Sequence, residues 1–149
     1  LGFDMPHGFE FDPHHVRILA IPPTREEIVQ EFHEAFGHPV GTRLPDPGEL
    51  ENTGQLLRLR LRLLKEELGE LIEACESEPT VNILKELADL QYVLSGFAVA
   101  FGLPLDEAFR RVHESNMSKL GEDGKPIYRE DGKVLKGPNY QPPYLADLV

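Results

Sequence analysis

The chain has 149 residues, of which 40% are hydrophobic and 28% charged, so one folded domain is expected rather than a disordered or fibrous chain. Its formal net charge of −11 argues against nucleic acid and anionic membranes as partners, because both bind surfaces rich in Lys and Arg; a cation is the better ligand. The single cysteine, Cys75, excludes an internal disulfide, and the absence of a signal-peptide pattern or a long apolar run predicts a cytoplasmic protein.

Proline guides the division of the chain, because it is excluded from helix interiors. Four prolines within residues 1–23 predict an irregular arm, whose residues 1–4 precede the first methionine and are expected to be a cloning remnant. A first helix is predicted from Thr24, where Thr-Arg-Glu-Glu has the spacing of a capping box, to near Gly37. A loop rich in Pro and Gly follows over residues 38–48.

Three further helices are predicted in the long proline-free stretches. The second covers about 49–76, the third about 79–101, and the fourth follows Pro104 and stops at Gly121. Residues 24–121 are therefore expected to form the helical domain.

The C-terminal residues 122–149 have a different composition. Two short β-prone runs flank Glu130-Asp131-Gly132, which predicts a small hairpin followed by an extended tail. The predicted fold class is all-α: an antiparallel bundle of about four helices with a small C-terminal β-hairpin or extended arm.

Carboxylates occupy part of the inner face of the second helix. The residues on one arc of that helix are predicted to form its buried stripe, called the core stripe: Leu57, Leu64, Leu68, Leu71 and Cys75. Cys75 is accordingly expected to be a small buried hydrophobe. Glu67 and Glu70 fall among the leucines beside this stripe and are predicted to face inward. Glu66 and Glu73 lie at its border, and Glu76 falls on the solvent side.

Two more carboxylates face inward from the third helix, where Glu86 and Asp89 are three residues apart on one side. A tight turn over residues 77–79 makes the second and third helices antiparallel. Glu67 and Glu70 lie about as far before this turn as the other pair lies after it, so the four carboxylates are predicted to face one another.

Such a group of carboxylates needs a counter-ion. Anions roughly 5 to 6 Å apart repel by about 3 kcal/mol per pair at an effective dielectric constant near 20, and Arg60 is the only evident cation on the inner face. A divalent metal ion would offset the repulsion, and oxygen-only ligands favour Mg²⁺, Mn²⁺ or Ca²⁺ over zinc. The alternative is an ordinary solvated acidic face, with the helical phase misassigned by a turn.

The sequence Glu66-Glu67-Leu-Gly-Glu70, followed by Glu86-Leu-Ala-Asp89, resembles the EExxE and ExxD signature of the all-α nucleotide pyrophosphohydrolases. These comprise the MazG-like proteins, the dimeric dUTPases and the phosphoribosyl-ATP pyrophosphohydrolases. Asn116-Met-Ser-Lys119 is similar to the NxxK element of MazG-like members. The resemblance covers roughly residues 24–140 and is far less specific for the substrate than for the superfamily.

The resemblance implies roles for the acidic residues. Glu67, Glu70, Glu86 and Asp89 would be ligands of Mg²⁺, with Mn²⁺ as a substitute, and Glu66 would hold an additional ion or orient water. Water would attack the α-phosphorus of a nucleoside triphosphate, giving the monophosphate and pyrophosphate. Glu67 or Glu66 would take the proton of that water.

Polar residues near the C-terminus are expected to contact phosphate or sugar: Asn116, Lys119, Lys133, Lys136 and Tyr140. Asn116 and Lys119 are predicted to share one helical face. The alternative for Lys119 is a favourable position in the last turn of the helix, and the tail lysines could be ordinary solvated residues.

The function implied by the resemblance is Mg²⁺-dependent hydrolysis of a (deoxy)nucleoside triphosphate, with dUTP the best single guess. Phosphoribosyl-ATP is the alternative substrate, and a non-catalytic metal- or nucleotide-sensing dimerisation module is the alternative of another class. A homodimer is expected, with a tetramer as the other option, because the third helix is apolar on nearly every side over residues 90–101.

Overall fold

The computed structural model describes residues 21–49 and 54–149. Within these residues lie four α-helices, namely α1 (Arg25–Phe36), α2 (Gln55–Ser77), α3 (Thr80–Ala100) and α4 (Leu105–Met117). Short 3₁₀ turns lie at Pro47–Glu49 and Ala146–Leu148, and the described residues contain no β-strand. The predicted all-α fold class is therefore confirmed. Most of the predicted N-terminal arm, residues 1–20, lies outside the described residues.

Helix α1 begins and ends where its sequence predicts. The Thr24 side chain accepts a hydrogen bond from Glu27 N at 3.2 Å, and the Glu27 carboxylate accepts one from Thr24 N, so the capping box is formed. Gly37 closes the helix with a φ of 67°, a left-handed conformation that glycine adopts without steric cost.

Helix α2 begins later than predicted. The predicted start near Glu49 is wrong, because Glu49 belongs to the 3₁₀ turn and its carboxylate accepts hydrogen bonds from Arg43 and from Asp46 N, at 2.6 and 3.0 Å. The helix starts at Gln55, immediately after the buried Gly54. The local hydrogen bonds of Glu49 thus compete with its inclusion in the helix.

Helix α3 is the central element. It packs antiparallel against α2 across the short connection at Glu78–Pro79, and α1 packs on it from another side. The buried apolar residues are concentrated in this region: Val29, Ala74, Ala98, Val99, Ala100 and Phe101. Most are small, so the helices approach one another closely, and the α2–α3 hairpin is the frame that positions the acidic residues.

The buried face of α2 differs from the predicted core stripe. Its two buried residues are Arg60 and Ala74, and Glu67 lies midway between them at a spacing of seven residues. Leu57, Leu64 and Leu71 are half-buried, whereas Leu68 is 47% exposed and Cys75 is exposed, so the predicted burial of Leu68 and Cys75 is wrong. Leucines cover such a wide arc of α2 that apolar periodicity alone did not define its centre.

Helix α4 is shorter than predicted. It ends at Met117, and Lys119 lies beyond it in a turn, so the predicted shared helical face of Asn116 and Lys119 is wrong. The tail replaces the missing helical hydrogen bonds: Gly137 N donates to Lys119 O at 2.8 Å, and Gln141 N donates to Ser118 Oγ at 2.9 Å. The tail therefore closes the end of α4.

The predicted C-terminal hairpin is present only as a chain reversal. One isolated antiparallel bridge pairs Tyr128 with Val134, and Gly132 has a φ of 86° in the turn between them. A two-stranded hairpin is not confirmed. The proposed division into arm, helical domain and tail stays a prediction.

Among the described residues, no single helix combines the length and hydropathy needed to cross a bilayer. Helices α3 and α4 together, bent by 114° at their junction, pass the same test of length and composition.

Candidate active site

Three of the predicted acidic residues meet between α2 and α3. One carboxylate oxygen from each of Glu67, Glu70 and Glu86 lies within 4.8 Å of the others. Glu67 and Glu70 are nearly one turn apart on α2, and the antiparallel packing of α3 brings Glu86 against them. The sequence-based prediction that these two acidic motifs face each other is therefore met by the geometry of these three residues.

Two oxygens in this group have no hydrogen-bond partner. Glu67 Oε2 and Glu86 Oε2 are both enclosed, and neither accepts a hydrogen bond from any residue that the structure describes. The Glu86 side chain is only 13% exposed. Removing a carboxylate oxygen from water without giving it a hydrogen-bond donor costs free energy. These two oxygens are therefore suited to bind a cation. A set of donors made only of carboxylate oxygens fits Mg²⁺ or Mn²⁺.

The protonation of Glu67 reflects its surroundings. Burial raises the pKa of Glu67, and the neighbouring carboxylates Glu70, Asp89 and Glu86 raise it further, whereas Lys85 opposes the shift. Glu67 is thus the carboxylate whose charged form the metal-free fold tolerates with most difficulty.

Asp89 is held beside the three-carboxylate group by a lysine that the sequence analysis did not single out. Lys85 Nζ lies 2.8 Å from Asp89 Oδ2 and 3.3 Å from Glu86 Oε1. These contacts raise the pKa of the Lys85 ammonium, which therefore stays charged. The signal was available in the sequence, because Lys85 precedes Asp89 by four residues on one helix.

Glu66 lies apart from this group. Its side chain is 58% exposed and contacts Arg62 at 3.8 Å, one turn earlier on the outer side of α2. No contact in the described part of the chain joins Glu66 to Glu67, Glu70 or Glu86. Its role as a ligand or a proton acceptor stays a prediction.

The predicted substrate-binding residues lie at the end of α4 and in the tail. Lys136 Nζ stands 4.6 Å from the centre of the Tyr140 ring, a cation–π contact, and Lys133 N donates to Asp131 Oδ1 at 3.2 Å. Asn116 and Lys133 are exposed, and Lys119 is half-buried. The contacts found in residues 21–49 and 54–149 connect none of these side chains to the acidic group, so their roles remain predictions.

An all-α fold whose central helical hairpin carries facing carboxylates defines a candidate metal-dependent enzyme. A family model described as "Phosphoribosyl-ATP pyrophosphohydrolase" matches residues 29–116, which is more than half of the chain. The chain therefore belongs to this family of pyrophosphohydrolases, and the resemblance found in the two acidic motifs is confirmed. All residues of the acidic group lie within the matched segment.

Two individual proteins are also similar. An uncharacterized protein of Acanthamoeba polyphaga mimivirus is 34% identical over 113 residues, which cover 76% of this chain. The chain spans only 42% of the length of that relative. A solved structure from Exiguobacterium sp. 255-15, described as a "putative NTP pyrophosphohydrolase", is 27% identical, with a TM-score of 0.42 over 83% of this chain and 90% of that one.

Replacing Glu67 by Gln is expected to stabilise the metal-free protein at about pH 7, by ~1 kcal/mol. The raised pKa means that the folded state binds this proton more tightly than the unfolded state. The protonated form therefore contributes stability at low pH that is lost as the pH rises from the unfolded pKa through the folded pKa. Urea unfolding in the presence of a chelator should show the gain at about pH 7 and little gain at about pH 4.

The matched control is Glu76→Gln, which removes one exposed carboxylate from the same helix and should change stability little at either pH. A lower stability of Glu67→Gln at about pH 7 would show that the charged carboxylate stabilises the metal-free fold, against this interpretation.

Proposed function

We propose that the protein is a Mg²⁺-dependent nucleoside triphosphate pyrophosphohydrolase that converts a (deoxy)nucleoside triphosphate to the monophosphate and pyrophosphate. The observation that carries this proposal is the pair of enclosed, donor-free oxygens on Glu67 and Glu86, within a chain that belongs to a pyrophosphohydrolase family. The best single guess for the substrate is dUTP. An enzyme of this kind would act on the nucleotide pool of the cytoplasm.

The residues that would hold Mg²⁺, or Mn²⁺ in its place, are Glu67, Glu70, Glu86 and Asp89. When bound, such an ion would neutralise phosphate charge and lower the pKa of the water molecule coordinated to it. An ion held by these carboxylates would offset the negative charge of the site, which would explain how a chain with a net charge of −11 can bind a polyanion.

A carboxylate must also take a proton from the attacking water. Glu67 is one candidate for this role, because its carboxylate lies in the acidic group beside the proposed ion. Glu66 is the other candidate, on the exposed side of the same turn. Around the leaving pyrophosphate we place the polar residues at the end of α4 and in the tail: Asn116, Lys119, Lys133, Lys136 and Tyr140.

The substrate phosphoribosyl-ATP is favoured by a different observation, the description of the family model that matches residues 29–116. The two candidates require the same chemistry at the α-phosphorus and differ in the base, in the sugar and in the additional phosphoribosyl group. A non-catalytic sensing module would need the same acidic group for binding but would release no product.

The decisive experiment incubates the purified chain with Mg²⁺ and a panel of nucleotides that includes dUTP and phosphoribosyl-ATP. Equal amounts of monophosphate and pyrophosphate are expected, with labelled solvent oxygen recovered in the monophosphate, and neither product in the presence of a chelator. Glu67→Gln and Asp89→Asn should lower kcat by more than about 100-fold, the upper end of the effect of outer-shell metal partners.

Glu76→Gln is the control and should retain the wild-type rate, since Glu76 is exposed and outside the acidic group. Circular dichroism should show unchanged helix content in every variant. Full turnover by Glu67→Gln or Asp89→Asn would exclude the metal-site assignment. Metal binding without product from any nucleotide would instead support the sensing module.

Lys85 is expected to compete with the divalent ion. Its ammonium neutralises two of the proposed ligands in the metal-free protein, so metal binding must displace it. Lys85→Met should therefore bind Mg²⁺ about 5-fold more tightly, because exposed ion pairs of this kind are each worth up to about 1 kcal/mol. Isothermal titration calorimetry measures the change, and Lys65→Met, an exposed lysine on α2, is the control. Unchanged or weaker binding would show that Lys85 does not compete.

We further propose a homodimer. Helices α2 and α3 leave large apolar side chains exposed, which a second copy would cover: Leu61, Leu68, Ile72, Val81, Leu84 and Leu87. Part of the predicted core stripe of α2 belongs to this set, which accounts for its exposure in a single chain. The interface would then run alongside the acidic group.

Sedimentation analysis is expected to give twice the chain mass, and Ile72→Lys should produce the monomer, because a buried lysine at the interface would be unpaired. Val149→Lys, at a position that is 89% exposed at the end of the chain, is the control and should stay dimeric. Four times the chain mass would point to the tetramer, and a monomeric wild-type protein would refute the proposed assembly.

A further inference from the structure

A second polar site lies deeper in the fold, at Arg60 on the inner face of α2. The residue is only 5% exposed, and Arg60 Nε is enclosed without a hydrogen-bond partner. No carboxylate among residues 21–49 and 54–149 forms an ion pair with its guanidinium. Burial accordingly lowers the pKa of Arg60, with no neighbouring charge to oppose the effect. A guanidinium cannot neutralise itself by losing its proton at physiological pH, so an uncompensated one is costly to bury.

The side chain beside Arg60 is a buried histidine in a defined form. His33 of α1 is 2% exposed, and its Nδ1 donates to Pro39 O at 2.8 Å. Burial lowers the pKa of His33, so the ring is neutral at physiological pH and carries its proton on Nδ1. Its Nε2 is then a hydrogen-bond acceptor. His33 cannot act as the counter-ion of Arg60.

The backbone of α3 leaves room for these two side chains at Gly96. A Cβ atom at this position would lie 3.3 Å from Arg60 Nη1 and 3.4 Å from His33 Nε2. Three helices thus contribute to one closely packed polar cluster, with His33 from α1, Arg60 from α2 and Gly96 from α3. The loop that carries Pro39 is fixed to α3, because Gly41 N donates to Val99 O at 2.9 Å.

This cluster and the acidic group lie on the same face of α2. Arg60 and Glu67 are seven residues apart on the same face of α2, which is two helical turns, or about 10 Å along the axis. A nucleotide whose phosphates lie at Glu67 is long enough to reach Arg60. The N–H groups of a guanidinium match oxygen acceptors, and they would be satisfied by a ligand that the chain alone does not supply.

We propose that Arg60 is a substrate-binding residue that donates hydrogen bonds to an oxygen of the bound nucleotide, from the polar cluster formed with His33 and Gly96. The inference rests on the proposed function and adds a recognition residue outside the two acidic motifs. The oxygen is either a carbonyl oxygen of the base or an oxygen of the terminal phosphates. Both accept hydrogen bonds from a guanidinium, the first as a neutral acceptor and the second as an anionic one, and separate ligands distinguish them.

The test compares Arg60→Met with Arg60→Lys in the full chain, in the presence of Mg²⁺. Arg60→Met should unfold at a higher temperature than the wild type, because it removes an uncompensated buried charge and keeps an apolar side chain of similar length. The same variant should raise KM for the hydrolysed nucleotide about 10-fold to 100-fold. Arg60→Lys should recover part of the loss, since it keeps the charge but not the planar fork.

Titration of inorganic pyrophosphate and of the nucleoside monophosphate assigns the contact. Weaker binding of pyrophosphate by Arg60→Met places Arg60 at the terminal phosphates. Weaker binding of the monophosphate, together with weaker binding of the nucleoside that lacks phosphate, places it at the base. Arg110→Met, which removes an exposed arginine from α4, should change neither affinity nor KM.

A purely structural Arg60 predicts the opposite pattern, in which Arg60→Met unfolds at a lower temperature and the folded fraction binds both ligands with wild-type affinity. That result would overturn this inference and leave the proposed function intact. If the wild-type protein hydrolyses no nucleotide, the proposed function itself fails, and the inference built on it fails as well.

Discussion

The repulsion among carboxylates across the α2–α3 hairpin is the constraint on which the site depends. Glu67, Glu70 and Glu86 place one oxygen each within 4.8 Å of the others, on two helices joined by a short connection. The connection and the small buried residues of α3 prevent the helices from separating to relieve the repulsion. The fold therefore holds a negative potential at a fixed place, where a bound divalent ion would add to the stability of the folded state.

The metal-free chain limits this repulsion in two ways. Glu70 stays exposed, so water screens its charge, and Lys85 places its ammonium against Glu86 and Asp89 from the solvent side. Neither arrangement gives the enclosed Glu67 Oε2 a hydrogen-bond donor, and Lys85 opposes only part of the Glu67 pKa shift. The electrostatic cost is thus concentrated on Glu67, whose pKa is raised first by burial and then by the neighbouring carboxylates.

Local signals in the sequence predicted much of the fold and site. The capping box at Thr24 and the paired spacing of the acidic motifs depend only on neighbouring residues, and both are found in the structure. The phase of α2 was mispredicted, because its leucines cover a wide arc and the buried centre is set by packing against α3, around Arg60 and Ala74. The end of α4 depends on hydrogen bonds from the tail, such as that from Gly137 N to Lys119 O, which sequence periodicity does not report.

The inner face of a core helix is usually apolar, whereas the inner face of α2 carries the charged residues Arg60 and Glu67. Arg60 and Glu67 are seven residues apart on one face of α2, and opposite charges separated by the corresponding helix rise of about 10 Å would attract by only about 2 kcal/mol at an effective dielectric constant near 20. That is too little to offset the desolvation of both groups. Two apolar residues at these positions would give a more stable helix. Two separated, unsatisfied charges are expected where a protein gives up stability in order to bind a ligand. Glu67 would suit a cation, and Arg60 would suit an acceptor oxygen.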